Sequence, residues 1–293
     1  MRHLAEFIHS HPRIFGILGY HCGHASFLRP PASGSRKSID AEDDAAFEEL
    51  AQIGSEETGF PSLPLVKLHW AGKRDLNKGG HALDFVYNHL GILGFEVELG
   101  TILNSAGLTT EDFLSWTSQD DADQWMRRLL KWWDLQGGQD PLFQSWKPFK
   151  PPQIGPVELG GFLYTSLDNP LVSELPKTLE STYKFTVTHA QRHPKIVIEN
   201  LHVDLFDSTV YRVHLRIANR GQLPTNITNR GRSLLRLPPV KASFTPAKNV
   251  ERISSFSHFN LGHLSGVTGS QVIEWFVKVQ KGCVQILGEL KVS

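Results

Sequence analysis

The sequence changes texture near residue 195, and that change constrains the fold more than any single motif does. Over 195–205, 210–219, 272–279 and 283–292, apolar and polar residues alternate with period two. Successive side chains of a strand point to opposite faces, so this alternation predicts half-buried antiparallel strands. Upstream, the apolar run 14–19 reads as a buried strand, and Phe47, Leu50 and Ile53 recur at helical spacing within 41–58. A strand over 63–70, a helix over 81–90 and a strand over 94–99 continue the alternation of an α/β sheet. The expected fold class is therefore α/β, a mixed sheet with flanking helices over 1–193, followed by an antiparallel β-sandwich over 194–293.

With 293 residues the chain is long enough for two domains, each with a core. Its 40% apolar content and seven Trp supply the burial that disordered chains lack. Lys plus Arg equals Asp plus Glu at 30 each and the basic residues form no long run, which argues against a nucleic-acid or anionic-membrane surface. No uninterrupted apolar stretch reaches the ~18 residues of a membrane span, and the first twelve residues lack a clean apolar signal core. As written, the chain is expected to be cytoplasmic. Cys22 and Cys283 are the two cysteines, too few and too far apart for a disulfide framework or a Cys-x-x-Cys metal knuckle.

Between these landmarks, Thr109-Thr110-Glu111-Asp112 reads as a capped helix start, with Phe113, Trp116, Trp125, Leu129 and Leu130 continuing to about Leu135. The Pro- and Gly-rich stretch 139–170 reads as ordered loop and short strands whose aromatics need burial. A helix over 171–193 precedes the change of texture.

Two strand ends carry the residue types of a metal-water hydrolase. Tyr20-His21-Cys22 closes the first buried run, and Glu98 closes 94–99. Ligands of open α/β sheets bind beyond the carboxyl ends of strands, where a histidine can hold a metal and a carboxylate can act as base. Glu96 lies two residues before Glu98 and so shares its face; two buried carboxylates there repel, and at least one must reach solvent, a cation or the strand end. Cys22 and His24 are weaker ligand candidates. His81 and Asp84 form a helical i, i+3 pair that is more often a surface contact.

The order of motifs resembles the C-terminal half of the catalytic domain of carboxypeptidase A-like zinc carboxypeptidases, of bacterial type. The resemblance rests on 11–16 running into Tyr20-His21, on Phe27-Leu28-Arg29-Pro30-Pro31, on Gly79-Gly80 with Asp84-Phe85-Val86-Tyr87, and on Phe95-Glu96-Val97-Glu98-Leu99. The stretch 154–162 with Asn169-Pro170 is similar to a tail of bacterial members, and 218–225, Ala-Asn-Arg-Gly-Gln-Leu-Pro-Thr, to their C-terminal extension. It implies that His21 is the third zinc ligand, that Glu98 activates zinc-bound water, and that the substrate is the C-terminus of a peptide or protein. The family places its first two ligands, a His-x-x-Glu pair, and its substrate-binding arginines upstream of these motifs. On this reading the chain has no counterpart of them, and Arg74-Asp75-Leu76-Asn77-Lys78 replaces the mobile tyrosine. Catalytic zinc takes about three protein ligands. The expectation is an N-terminally incomplete carboxypeptidase, inactive alone and not retaining zinc, or else a non-catalytic relative acting as a peptide-binding or interaction module. An unrelated metal hydrolase using His21, His24 and His81 is a third reading.

Overall fold

A computed structural model describes residues 2–34, 38–70, 80–109, 112, 119–136, 142–163, 167–280 and 288–292. The chain forms two compact units that do not divide at one point: 16–89 with 93–188, and 189–293 with 1–15 and 90–92.

In the first unit, β1 (Gly16–His21), β2 (Gly23–Arg29), β3 (Ser62–Pro64) and β4 (Leu93–Gly100) form a sheet of order β1-β4-β2-β3. β1 runs parallel to β4 and β2 parallel to β3, while β2 and β4 are antiparallel. The sheet is mixed, and the class is α/β. One face of β4 presents Phe95 and Val97 to an aromatic core. Phe95 meets Phe47 at 5.5 Å and Phe185 at 6.0 Å, and Phe185 packs edge-on to Phe27 at 4.7 Å. Phe47 comes from α2 (Ala41–Thr58) and Phe185 from α7 (Leu175–Gln191). By strand alternation Glu96 and Glu98 occupy the other face.

Local chemistry sets the ends of α2. The Asp40 carboxylate accepts the backbone N–H groups of Glu42 and Asp43, and Gly59 ends the helix in the left-handed region at φ 76°. Arg29, buried on β2, is neutralised by Asp44 at 3.0 Å and Glu48 at 2.9 Å on α2.

Several expectations are corrected. Residues 23–29 form β2, where no strand was expected. The strand over 63–70 is a three-residue β3 followed by α3 (Leu65–Trp70), since Leu63 and Leu65 both reach one core cluster with Leu28 and Leu83. The helix over 81–90 is α4 (Ala82–Leu90), and after β4 comes α5 (Ile102–Ser105). Thr109 and Asp112 do form a reciprocal cap, each accepting the other's backbone N–H. α6 spans Gln119–Leu135, while Phe113 and Trp116 lie outside the described residues. Within 139–170, β5 (Phe143–Phe149) pairs with β6 (Val157–Phe162), yet Trp146 is 58% exposed, so the aromatics there are not all buried.

The second unit holds α1 (Arg2–Ser10), the five-residue α8 (Asn229–Ser233) and two antiparallel sheets. One sheet has the order β10-β12-β8-β7, from β7 (Ile196–Asp207), β8 (Val210–Asn219), β10 (Val250–Arg252) and β12 (Ser270–Val279). The other has the order β11-β9-β13, from β9 (Val240–Pro246), β11 (His258–Gly262) and β13 (Gly288–Val292). Leu215, Ile217, Trp275 and Val277 of the first sheet share one core with Val240, Ala242 and Phe244 of the second. Asn219 ties this unit together. Its Oδ1 accepts from the Lys195 and Gly221 amides, and its Nδ2 donates to the Leu223 and Ser265 carbonyls.

Candidate functional site at the ends of β1 and β4

His21 and Glu98 are partners in register across the parallel β1–β4 pair. They therefore stand side by side on one face of the sheet, at the carboxyl ends of both strands. Their side chains meet different neighbours. His21 Nε2 lies 3.9 Å from Glu96 Oε1, and His81 Nε2 lies 3.5 Å from Glu96 Oε2. The carboxylate flanked by the two imidazoles is thus Glu96, 6% exposed, rather than Glu98.

Glu98 is held differently. Its Oε2 is buried without a hydrogen-bond partner, and burial, reinforced by the charge of Glu96, pushes its carboxyl up to about 7. Gly23, which opens β2, makes room for it: a Cβ on Gly23 would stand 2.1 Å from Glu98 Oε2. The two acids on this face thus meet different surroundings, Glu96 facing imidazoles and Glu98 holding its proton to a higher pH than an ordinary glutamate.

The other residues separate. His24 is buried, and its Nε2 sits 3.1 Å from the Asn104 side-chain nitrogen. Burial lowers its pKa, against the opposing charge of Asp112. Cys22 is exposed, and Cys283 lies outside the described residues. His81 and Asp84 do not form a pair directed at one point. Asp84 accepts the backbone N–H groups of Ala32 and Ser33, fixing the loop after β2. His81 precedes α4, and its Nδ1 accepts the Leu83 N–H at 3.4 Å.

His81 therefore caps the start of α4 through Nδ1 and turns Nε2 toward Glu96. Among the described residues no group of three His, Cys, Asp or Glu side chains is arranged to hold a metal ion. His21 and Glu98 suit the roles of ligand and base, but a full zinc donor set is not assembled by the described residues.

One feature of the sequence corrects the expectation about the first two ligands. His3-Leu4-Ala5-Glu6 has the His-x-x-Glu spacing that the chain was expected to lack. It falls on α1, where His3 Nδ1 lies 3.5 Å from Glu6 Oε2 and both side chains are exposed. This pair belongs to the second unit, whereas His21 and Glu98 belong to the first. The residues 74–78 lie outside the described residues.

Residues 195–289 match the model of a family described as Domain of unknown function (DUF8731). The match spans β7 to the start of β13, including Asn219 and its partners, and stops short of His21 and Glu98. No curated protein matches the chain.

Proposed function

We propose that the chain is a metallocarboxypeptidase-type protein that keeps the strand-end pair of a peptide hydrolase, His21 as metal ligand and Glu98 as base, and does not hydrolyse peptides by itself. The observation that carries this reading is Glu98: a carboxyl whose Oε2 is buried with no hydrogen-bond partner among the described residues, its pKa pushed up to about 7, in register with a histidine at the mouth of a parallel strand pair. A general base works best when its pKa lies near the working pH, and a carboxylate desolvated to that degree is poised to accept a proton. Zinc, when held at such a site, supplies a water of lowered pKa. Were zinc held there, His21 would be a ligand, and the Glu98 carboxylate would be the group to take a proton from water and return it to the departing amine of a C-terminal residue. Glu96 would keep the His21 ring turned toward the sheet. One protein ligand is too few to retain zinc, which is why turnover is not expected of this chain alone.

The test is a zinc titration followed by NMR of the histidine ring protons, alongside an assay for release of C-terminal amino acids from peptides. The expected result is weak binding that shifts the His21 resonances and is lost in His21→Ala, with no hydrolysis. Zinc that shifts other histidines while leaving His21 unmoved would overturn the assignment. Tightly held zinc with hydrolysis would overturn the inactive reading, and His3→Ala would then show whether the His-x-x-Glu pair on α1 takes part.

A further inference from the structure

A cavity of about 400 Å³ opens between α5, α6 and the segment leading into α7. Its size is that of a small-molecule site. Trp132, Trp133 and Gln136 line it from the end of α6, Leu171 and Glu174 from the approach to α7, and Ser105 from the end of α5. We propose that this cavity binds a small organic cation.

Three observations lead there. The two tryptophans pack against a buried cluster that includes Ile102, Leu103, Leu129 and Leu142, so their indoles are held in place before any ligand arrives. Preorganised rings lose little freedom on binding. Next, Glu174 is the one ionisable side chain among the described lining residues, and it brings negative charge to the cavity. Ser105 Oγ donates to Glu174 Oε2, which orients the carboxylate and leaves Oε1 to meet a ligand. Indoles together with a carboxylate attract an ammonium or guanidinium group through the ring quadrupole and the charge, and disfavour an anion. Finally, α5 follows β4 directly, which puts Ser105 beyond the carboxyl end of the sheet, where open α/β sheets bind ligands. None of this uses His21 or Glu98, so the inference stands apart from the proposed hydrolytic pair.

Isothermal titration of the full chain with choline, with arginine amide, and with 3,3-dimethylbutanol, the neutral isostere of choline, tests it. Saturable binding of either cation is expected, roughly tenfold tighter than the alcohol, the size of a desolvated cation–π contact. Glu174→Gln alters an exposed side chain and should weaken the cation by about the same factor while leaving the alcohol unchanged. Glu98→Gln should leave cation binding as it was. Equal binding of choline and the alcohol, no saturable cation binding, or cation binding indifferent to Glu174→Gln would each overturn the proposal. So would tight binding of a neutral sugar without any preference for cations.

Discussion

Glu98 gives the first unit a pH dependence of definite sign. Its carboxyl titrates near 7 in the fold, above the ordinary glutamate value of 4.5. Below pH 4.5 both folded and unfolded chains hold the proton. Between 4.5 and 7 the unfolded chain releases it first, so stability falls as pH rises through that window and is level above it. The shift corresponds to a loss of about 1–3 kcal/mol. Glu98→Gln cannot ionise and should remove this slope, so that the variant is the more stable protein at pH 8. Urea midpoints of the two proteins at pH 5 and pH 8 check this; parallel pH profiles would mean that Glu98 is not the group that titrates.

Elements pack here through single close approaches, and two substitutions measure them. Gly54, inside α2, passes so near β2 that a Cβ would stand 2.8 Å from the Phe27 ring. In an isolated helix Gly→Ala gains about 1 kcal/mol. Here Phe27 is fully buried against Phe185 and cannot retreat, so Gly54→Ala should instead cost about 1–3 kcal/mol. Thermal unfolding will show the sign. In the second unit Asn219 holds four backbone groups from three segments. Asn219→Ala strands them in the interior, and a loss of about 3 kcal/mol or more is expected. Hydrogen exchange should show that loss at the amides of Lys195 and Gly221, while the amides of β4 keep their protection.

Among the described residues, one strand edge of the second unit carries exposed apolar side chains. β7 ends the four-stranded sheet and carries Leu201, Val203, Leu205 and Phe206 in exposed positions, the last two at 59% and 63%. An unpaired edge with apolar side chains is a template for pairing with another strand. Sedimentation velocity should therefore detect concentration-dependent self-association of the purified chain. Leu205→Lys should reduce it, because a lysine blunts the edge.

The sequence by itself determined the change near residue 195 and the types of the strongly periodic elements, because side-chain period reports which face of a strand or helix is buried. β7, β8 and β12 could be read in this way, whereas β1, expected from its apolar run to be a buried strand, is an edge strand with no buried residue. The sequence also marked His21 and Glu98 as candidates, since they stand where apolar runs stop. Tertiary structure alone decided what those residues meet. Residues 23–29 became a strand because β4 supplies hydrogen-bond partners 70 residues away, and no local period announces such pairing. His81 reached Glu96 instead of pairing with Asp84, because the start of α4 turns its ring toward the sheet while Asp84 turns to the loop after β2. The raised pKa of Glu98 was equally invisible in the sequence. Desolvation depends on everything packed around a carboxyl, and here that includes Gly23, which lies 75 residues earlier in the chain and contributes by having no side chain.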